Sequence, residues 1–236
     1  MNAAILLSGG TGRRMSLDTP KQYLKAAGRM IVTHAAMPLF LFPIIDRVVF
    51  VMEEDYREEV FRELKEEKAD LGKLLGIARP GSNRQESIRQ GLLKLRESCG
   101  EPEDADTVLI HDAARPLLSE ELLTRLYEGL TGHEGVMPVL PMKDTVYLGD
   151  GEKRIASLLN RDRVFAGQAP ELFLLRPYAK AVLGLDPETL EKIRGSSEPA
   201  VMAGMDVVMT EGEESNFKIT TPEDLKRFRE LMERTD

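Results

Sequence analysis

The chain has 236 residues, 42% of them hydrophobic, which is enough for one full α/β core but too few for two full domains. Its net charge of −8 excludes a general basic surface for nucleic acid or an anionic membrane, so a phosphate site must be a local positive spot. The single Cys99 cannot form an internal disulfide, and no signal-peptide pattern opens the chain. We therefore expect a cytoplasmic protein that binds a small anion.

A glycine-rich segment follows the first predicted strand. The apolar run Ala3–Leu7 leads into Ser8-Gly9-Gly10-Thr11-Gly12-Arg13-Arg14, with Lys21 a short way beyond. Glycines permit positive φ and bring backbone N–H groups close to an anion. Cationic side chains at this point could neutralise a nucleoside triphosphate. The segment predicts a phosphate-binding loop, and the alternative is a tight strand-to-helix turn with solvated arginines.

Spacing excludes the two commoner glycine loops. A dinucleotide fingerprint needs a third glycine where Met15 stands. A Walker loop needs Lys and then Ser or Thr after its last glycine, but Gly12 is followed by Arg13. The predicted loop therefore belongs to another kind of phosphate site.

Apolar runs and helical patterns alternate along the chain. The predicted strands are Ala3–Leu7, Arg47–Met52, Leu75–Ala78, Thr107–Ile110 and Gly135–Leu140, and the predicted helices are Ile31–Phe42, Asp55–Glu67, Arg84–Ser98 and Ser119–Leu130. This order predicts an α/β fold with a single doubly wound, mostly parallel sheet. Near the chain end, Lys218 is expected on a short strand, and Thr221, Pro222 and Asp224 predict the start of a last helix.

One segment departs from this alternation. Extended pieces between Asp144 and Phe165 surround Gly149-Asp150-Gly151, which is typical of a hairpin. We interpret it as an arm that projects from the sheet and serves dimerisation or closes a site. The alternative is an ordinary surface hairpin.

Polar residues follow the strand Thr107–Ile110 directly. His111 and Asp112 are thus expected at the carboxyl edge of the sheet, where ligands of open α/β sheets bind. The Asp112 carboxylate could hold Mg²⁺ against triphosphate oxygens. His111 is interpreted as structural, because an incoming phosphate is already anionic and needs no general base. The segment Gly81–Ser87 offers donors for a base or ribose, but is equally typical of a helix N-terminus.

Six segments carry a resemblance to a known family. They are Gly9-Gly10-Thr11-Gly12-Arg13-Arg14-Met15, Pro20-Lys21-Gln22-Tyr23-Leu24, His111-Asp112-Ala113-Ala114-Arg115-Pro116, Asp144-Thr145, Gln168-Ala169-Pro170 and Asn216-Phe217-Lys218-Ile219-Thr220. In this order they resemble the cytidylyltransferases that make CDP-methylerythritol and CDP-ribitol. The resemblance covers essentially the whole chain. It implies one Rossmann-like nucleotidyltransferase domain over residues 1–236, with a dimerisation arm at about 143–165.

The resemblance also implies a reaction and a set of roles. A cytidylyl group passes from CTP to a polyol phosphate, with Mg²⁺ as cofactor and pyrophosphate as the released product. The implied catalytic residues are Arg14, Lys21 and Lys218; the implied nucleotide-binding residues are Ser8, Gly9, Gly10, Gly12, Gly81, Ser82, Ser87 and Asp112, with Asp112 also on the metal; the implied acceptor-binding residues are Arg115, Thr145 and Arg161. Thr145 and Arg161 would act on the neighbouring subunit's site in a homodimer.

Two segments depart from the family pattern. Gln168-Ala169-Pro170-Glu171 stands where the family usually has Gln-Thr-Pro-Gln, and Ser196-Ser197-Glu198-Pro199 replaces a Thr-Asp-Glu/Ala segment. Both departures fall on the acceptor side of the expected site. The favoured acceptor is 2-C-methyl-D-erythritol 4-phosphate of non-mevalonate isoprenoid biosynthesis. The alternatives are ribitol 5-phosphate, for cell-surface polymers, and a nucleotide-binding homologue without turnover.

Overall fold

The computed structural model describes residues 1–10 and 19–233. The expectations for Gly12 and Arg14 therefore lie outside the described residues. The strands are β1 Asn2–Leu7, β2 Lys25–Ala26, β3 Arg29–Met30, β4 Arg47–Val51, β5 Leu74–Ala78, β6 Thr107–Asp112, β7 Gly135–Pro141, β8 Val146–Gly149, β9 Ile155–Leu159, β10 Phe165–Gly167, β11 Glu171–Leu174 and β12 Val207–Glu211. The α-helices are α1 Ile31–Leu41, α2 Arg57–Glu66, α3 Arg84–Cys99, α4 Glu120–Gly129, α5 Leu175–Leu183, α6 Pro187–Lys192, α7 Glu198–Met202 and α8 Pro222–Glu233.

The central sheet has eight strands in the order β10-β7-β11-β6-β1-β4-β5, with β12 also paired to β7. Strands β1, β4, β5 and β6 are mutually parallel, and β12 is parallel to β7. Strand β11 runs antiparallel to both β6 and β7, and β10 runs antiparallel to β7. The predicted α/β fold with a mostly parallel sheet is confirmed.

The strand order reverses at β1, which lies between β4 and β6. Leu7 at the end of β1 pairs with Val51 of β4 and with Asp112 of β6. The carboxyl ends of the three strands therefore meet at one point of the sheet edge. In open α/β sheets, the crevice at such a reversal is the usual place for a ligand.

Both faces of β1 are buried. Ala4 and Leu6 pack in a core shared with α1, α2 and α4, whereas Ala3 and Ile5 pack in a second core shared with α3 and α5. Alternate side chains of a strand point to opposite faces, so a strand covered on both sides has to be apolar throughout. This explains why β1 could be recognised as an uninterrupted apolar run.

The start of α8 agrees with its predicted cap. Thr221 Oγ1 accepts a hydrogen bond from the Asp224 backbone N–H at 3.2 Å, and Asp224 Oδ2 accepts one from the Thr221 N–H at 2.8 Å. These reciprocal bonds satisfy donors that the first helical turn leaves unpaired. Phe228 on the same helix is fully buried against Ile31 and Ile219.

The short strand expected at Lys218 was wrong. Residues 215–220 form no strand, and their backbone contact with the sheet region is one hydrogen bond from the Ile219 N–H to Ala114 O at 2.8 Å. The segment is fixed instead by burial of the Ile219 side chain, which is completely inaccessible. Lys218 therefore lies on an anchored loop.

The predicted arm is a hairpin outside the main sheet. Strands β8 and β9 pair only with each other, and their turn is closed by Asp150 Oδ1, which accepts hydrogen bonds from the N–H groups of Glu152 and Arg154. Large apolar side chains remain exposed along it, including Ile155 at 68% and Leu158 at 64%. A two-stranded hairpin with this much open apolar surface lacks a core of its own.

No helix in the described part of the chain is long and apolar enough to cross a membrane.

Gly91 of α3 packs directly against side chains of β1 and β4. A Cβ there would lie 2.7 Å from Ile5 Cγ2 and 3.2 Å from Val51 Cγ2, inside a packed core. We expect Gly91→Val to lower the free energy of unfolding by about 1–3 kcal/mol, because overpacking outweighs a small gain in helix propensity. Urea titration measures the change. Ser98→Val, at an exposed position of the same helix, is the control and should change stability by less than about 0.5 kcal/mol. Equal stability of the two variants would show that the helix does not pack this closely.

Candidate active site

A cavity of about 400 Å³ opens at the carboxyl ends of β1 and β6, where the strand order reverses. It is lined by Leu7, Ser8, Gly9, Gly10, Lys21, Gln22, Gly81, Ser82, Asn83, Arg84, Ser87, Asp112, Ala113, Ala114, Lys218 and Thr220. All the described residues that were expected to contact the nucleotide lie in this one cavity.

Two glycines shape the walls of the cavity. A Cβ on Gly9 would lie 2.3 Å from Pro80 Cβ, and a Cβ on Gly81 would lie 2.7 Å from the backbone carbon of Glu86. Real Cβ atoms do not tolerate such distances, so only glycine fits at either position. The segments that begin at Ser8 and at Gly81 form two walls of the cavity: Gly9 lets the first pack against Pro80, and Gly81 lets the second fold back on Glu86 of its own helix.

Gln22 and Tyr23 hold the first of these walls from behind. Gln22 Nε2 donates to Ser8 O at 2.6 Å and to Gly10 O at 2.8 Å, and Tyr23 Oη donates to Ser8 O at 3.0 Å. Burial raises the pKa of Tyr23 to about 12, which keeps its phenol protonated as a donor. The carbonyls of Ser8 and Gly10 are thus bound to protein, which fixes the conformation of the segment.

The second wall is the N-terminus of α3. Asn83 Oδ1 accepts from the Glu86 N–H at 2.9 Å and caps the helix. Ser87 Oγ accepts from the Gly81 N–H at 3.1 Å and donates to Asn83 O at 2.9 Å. The two interpretations of Gly81–Ser87 are therefore compatible, because an ordinary capped helix start forms the wall of the cavity.

Asp112 lies between two cations at the base of the cavity. Lys218 Nζ donates to Asp112 Oδ2 at 2.7 Å, and Arg84 Nη2 donates to Asp112 Oδ1 at 3.0 Å. Burial by itself would raise the pKa of the Asp112 carboxyl, but the charges of Arg84 and Lys218 outweigh it and hold the pKa well below its usual range. The carboxylate is therefore ionised at neutral pH.

Lys21 brings a third cation to the cavity. Its Nζ donates to Ile219 O at 2.5 Å, which joins the segment after the glycine loop to the segment that carries Lys218. Among the described residues, the lining carries three cationic side chains, Lys21, Arg84 and Lys218, and one carboxylate, Asp112. The cavity is therefore a local positive site in a chain of net charge −8, and it suits an anionic ligand.

The residues fit a magnesium ion that arrives with a phosphorylated ligand. Within residues 1–10 and 19–233, no group of three or more His, Cys, Asp or Glu side chains is arranged to hold a metal. Mg²⁺ is commonly bound by one or two carboxylates together with substrate phosphates and waters, without a cage of protein ligands. Asp112 supplies one ionised carboxylate on the cavity wall, which matches that mode of binding.

Three residues expected to bind the acceptor lie outside the lining. Arg115 is half-buried and donates from Nη1 to Asn216 O at 2.6 Å; burial lowers the pKa of its guanidinium. Thr145 and Arg161 are exposed at the base of the arm, where Arg161 Nη1 donates to Lys143 O at 2.8 Å. Within one chain, none of these three side chains is part of the cavity lining.

Sequence reasoning assigned no site role to several residues of the lining. They are Leu7, Gln22, Asn83, Arg84, Ala113, Ala114 and Thr220. Arg84 is the most consequential of them. Its segment was recognised, but its partner Asp112 is 28 residues away, and only the fold brings the two together.

His111 is fully buried, as expected of a structural histidine. Its Nε2 lies 3.1 Å from Arg115 O, and burial lowers the pKa of the imidazole to about 4. The ring is therefore neutral at physiological pH, and it is not part of the cavity lining.

The fold and the site define a doubly wound α/β protein with an anion-binding cavity at the strand-order reversal. The family described as IspD, 2-C-methyl-D-erythritol 4-phosphate cytidylyltransferase, matches residues 2–234. The chain belongs to this family.

Individual relatives agree. The 2-C-methyl-D-erythritol 4-phosphate cytidylyltransferase of Rubrobacter xylanophilus is 35% identical over 94% of this chain and 90% of its own length. The bifunctional enzyme IspD/IspF of Maricaulis maris is 33% identical over 99% of this chain but only 58% of its own length. The chain therefore spans little more than half of the bifunctional relatives that it matches. The structure of 4-diphosphocytidyl-2C-methyl-D-erythritol synthase from Anaerococcus prevotii superposes with a TM-score of 0.80 at 26% identity, covering 98% of this chain and 96% of that one.

The buried His111 predicts how stability depends on pH. Because the pKa of the folded state, about 4, lies below the unfolded value of about 6.5, the unfolded chain binds more protons between these values. The contribution of the neutral His111 to the free energy of unfolding is complete above pH 6.5 and is lost as the pH falls toward 4. We expect this pH-dependent loss of unfolding free energy to be at most about 3 kcal/mol. Urea unfolding in EDTA from pH 7.5 to 5 should show a smaller loss for His111→Asn than for the original chain. Parallel curves would contradict a neutral buried imidazole.

Proposed function

We propose that the chain transfers a cytidylyl group from CTP to 2-C-methyl-D-erythritol 4-phosphate and releases pyrophosphate. The observation that carries the proposal is the cavity itself, in which Arg84 and Lys218 pair with the ionised Asp112 and Lys21 lies in the same lining, beside two glycine-dependent walls. Membership of the IspD family and the names of the relatives support the same reaction.

The chemistry follows from the charges. An oxygen of the acceptor phosphate attacks the α-phosphorus of CTP, a new P–O bond forms, and the bond to the β-phosphate breaks with its electron pair leaving on pyrophosphate. The attacking oxygen is already anionic, so no general base is required. Lys21 and Lys218 stabilise negative charge that develops on the α-phosphate and the leaving group. No covalent nucleotidyl-enzyme forms.

Asp112 would hold the magnesium ion, which when bound neutralises triphosphate charge and helps to orient it. The protein contributes position: Arg84 and Lys218 fix the Asp112 carboxylate, and Gln22 fixes the backbone of the Ser8–Gly10 wall. Holding reactants in place accounts for much of the rate enhancement that such a reaction needs.

Methylerythritol phosphate is preferred over ribitol phosphate because the family description and the relatives name it. Ala169, one of the acceptor-side departures, is buried, and its carbonyl accepts from Asn216 Nδ2 at 2.8 Å. The methyl group of Ala169 therefore packs in the protein interior. Because position 169 is not part of the cavity lining, replacing the family's threonine with alanine removes no hydroxyl from the cavity.

We also propose a single nucleotidyltransferase domain that acts in the cytoplasm.

The direct test is an assay with CTP, Mg²⁺ and a panel of polyol phosphates. We expect CDP-methylerythritol by mass, stoichiometric pyrophosphate, and no activity when EDTA is present. Lys21→Ala should lower kcat by about a hundredfold, because it removes a cation aimed at transition-state charge.

Lys25→Ala is the matched control, since Lys25 is an exposed lysine that pairs with Glu59 outside the cavity. It should retain nearly full activity. A CDP-ribitol product would favour the second acceptor, and binding of CTP without any product would identify a non-catalytic homologue. A stable nucleotide adduct on the protein would contradict the one-step mechanism.

We propose in addition that the chain forms a homodimer through the arm at residues 143–165. The exposed Ile155 and Leu158 need a surface to cover them, and a symmetric partner provides one. Thr145 and Arg161 lie on the same arm and, within one chain, away from the cavity. Their proposed role on the acceptor phosphate therefore requires the partner's cavity.

Arg161→Ala should raise the acceptor KM and leave CTP binding unchanged. Mixing it with Lys21→Ala should restore part of the activity, because one composite site then combines an intact Lys21 with an intact Arg161. Arg154→Ala, an exposed arginine on the same arm, is the control and should keep the acceptor KM. A monomer by light scattering, or no recovery after demonstrated subunit exchange, would exclude the shared site.

A further inference from the structure

A buried serine lies behind the cavity, on the side of Arg84. Ser196, in the link between α6 and α7, is completely inaccessible to solvent. It is not one of the residues that line the cavity. Its hydroxyl oxygen accepts a hydrogen bond from Nη1 of Arg84, which does line the cavity. Any effect of Ser196 on a bound substrate therefore passes through Arg84.

The guanidinium of Arg84 joins Ser196 to Asp112. While Nη1 donates to Ser196, Nη2 and Nε both donate to Asp112 Oδ1, at 3.0 and 3.3 Å. Each nitrogen of the guanidinium therefore has a protein acceptor. Because the guanidinium is planar and rigid, an acceptor that fixes Nη1 also fixes the direction in which the other two nitrogens point. The Ser196 hydroxyl thus constrains the angle from which Arg84 reaches the carboxylate.

The backbone around Ser196 is held by two helices. Gln85 Nε2, at the start of α3, donates to Gly195 O at 2.6 Å, and Tyr178 Oη, on α5, donates to Ser196 O at 2.9 Å. Both donor side chains are buried. The serine hydroxyl is therefore mounted on a fixed segment, and one of the two anchors belongs to the same helical turn as Arg84.

The contacts of Asp112 explain why this angle matters. Lys218 Nζ binds Oδ2, whereas Arg84 binds Oδ1 through two nitrogens, so the two cations together hold the plane of the carboxylate. Rotation of that plane would change which oxygen lone pairs face the cavity. By holding Arg84, Ser196 contributes to the orientation that Asp112 presents to a ligand.

We propose that Ser196 is a positioning residue for the reaction, whose hydroxyl orients the Arg84 guanidinium and, through it, the Asp112 carboxylate. The inference rests on the proposed function, because only there is Asp112 assigned to CTP and its metal. It adds to the site a residue that lies outside the cavity lining and acts through one that lies within it.

The test measures CTP binding by calorimetry, which needs no acceptor. Ser196→Ala removes only the hydroxyl and should weaken CTP binding in Mg²⁺ about tenfold, the lower end of the range for groups that orient a metal-binding residue. CTP affinity in EDTA should stay nearly unchanged, because Arg84 and Lys218 keep their charges. In the assay with acceptor, kcat/KM should fall by the same factor as the affinity in Mg²⁺.

The matched control is Ser197→Ala. It removes the hydroxyl of the neighbouring serine, which donates to Met137 Sδ at 3.6 Å. Both CTP affinities of this variant should equal those of the original chain. A loss that is specific to position 196 would therefore reflect the contact with Arg84.

A spectroscopic readout follows Arg84 itself, without metal or nucleotide. The ¹⁵N–¹H signal of Arg84 Nε should shift in Ser196→Ala and keep its place in Ser197→Ala. Tyr178→Phe, which removes the hydrogen bond to Ser196 O, should shift the same signal by less. Added to Ser196→Ala, it should cause no further loss of CTP affinity in Mg²⁺, because its effect passes through the Ser196 hydroxyl.

The proposed function and the role of Ser196 fail separately. An original chain that binds CTP in Mg²⁺ but makes no product with any acceptor would contradict the transfer reaction. The binding comparison and the Arg84 signal would still decide whether Ser196 orients the site.

The role of Ser196 is overturned if folded Ser196→Ala binds CTP in Mg²⁺ as tightly as the original chain, or if its Arg84 signal does not move. Equal losses of CTP affinity with and without Mg²⁺ would also overturn it, because a general distortion of the cavity would then explain them. Should Ser196→Ala fail to fold, Tyr178→Phe takes its place. An unchanged Arg84 signal together with unchanged CTP affinity in that variant would overturn the proposal.

Discussion

The structure of the site depends on one buried carboxylate, Asp112. It terminates β6 opposite Leu7 of β1, so the sheet register fixes its backbone at the strand-order reversal. Its two oxygens are bound by cations from distant segments, Arg84 at the start of α3 and Lys218 before α8. A buried charge is tolerated only when it is paired in this way. Because both cations pair with the same carboxylate, removing it would leave two positive charges close together in the same cavity.

The remaining parts of the site are arranged around this ion cluster. Lys218 reaches Asp112 because the adjoining Ile219 is buried in a small core with α1 and α8, and Lys21 is tied to the same loop through Ile219 O. Gly9 allows the wall that begins at Ser8 to pack against Pro80, and Gly81 allows the other wall to fold back on Glu86 at the start of α3. The cavity thus combines fixed positive charge with a wall formed by a helix N-terminus, a combination that suits an anionic ligand.

The sequence was most informative where local patterns decide the structure. The buried strands, the helix caps at Asn83 and Thr221, and the hairpin at Gly149–Gly151 all follow from periodicity or turn chemistry.

The sequence was less informative for β11, a four-residue antiparallel strand that begins with the buried Glu171. Neither the length of this strand nor its first residue is typical of a central strand. Lys218 was expected on a short strand, but it lies on a loop that is held by the burial of the adjoining Ile219. The contact of Arg84 with Asp112 joins two distant segments, and no pattern within one segment could reveal it.

The most direct test of this account compares Asp112→Asn with the original chain in two measurements, turnover with Mg²⁺ and CTP affinity by calorimetry in EDTA. If Asp112 positions two cations and a metal, the variant should lose turnover by about a hundredfold. Its affinity for metal-free CTP should be equal or higher, because one negative charge has left a cationic cavity. Turnover close to that of the original chain, or a marked loss of metal-free CTP binding, would contradict the central role assigned to Asp112.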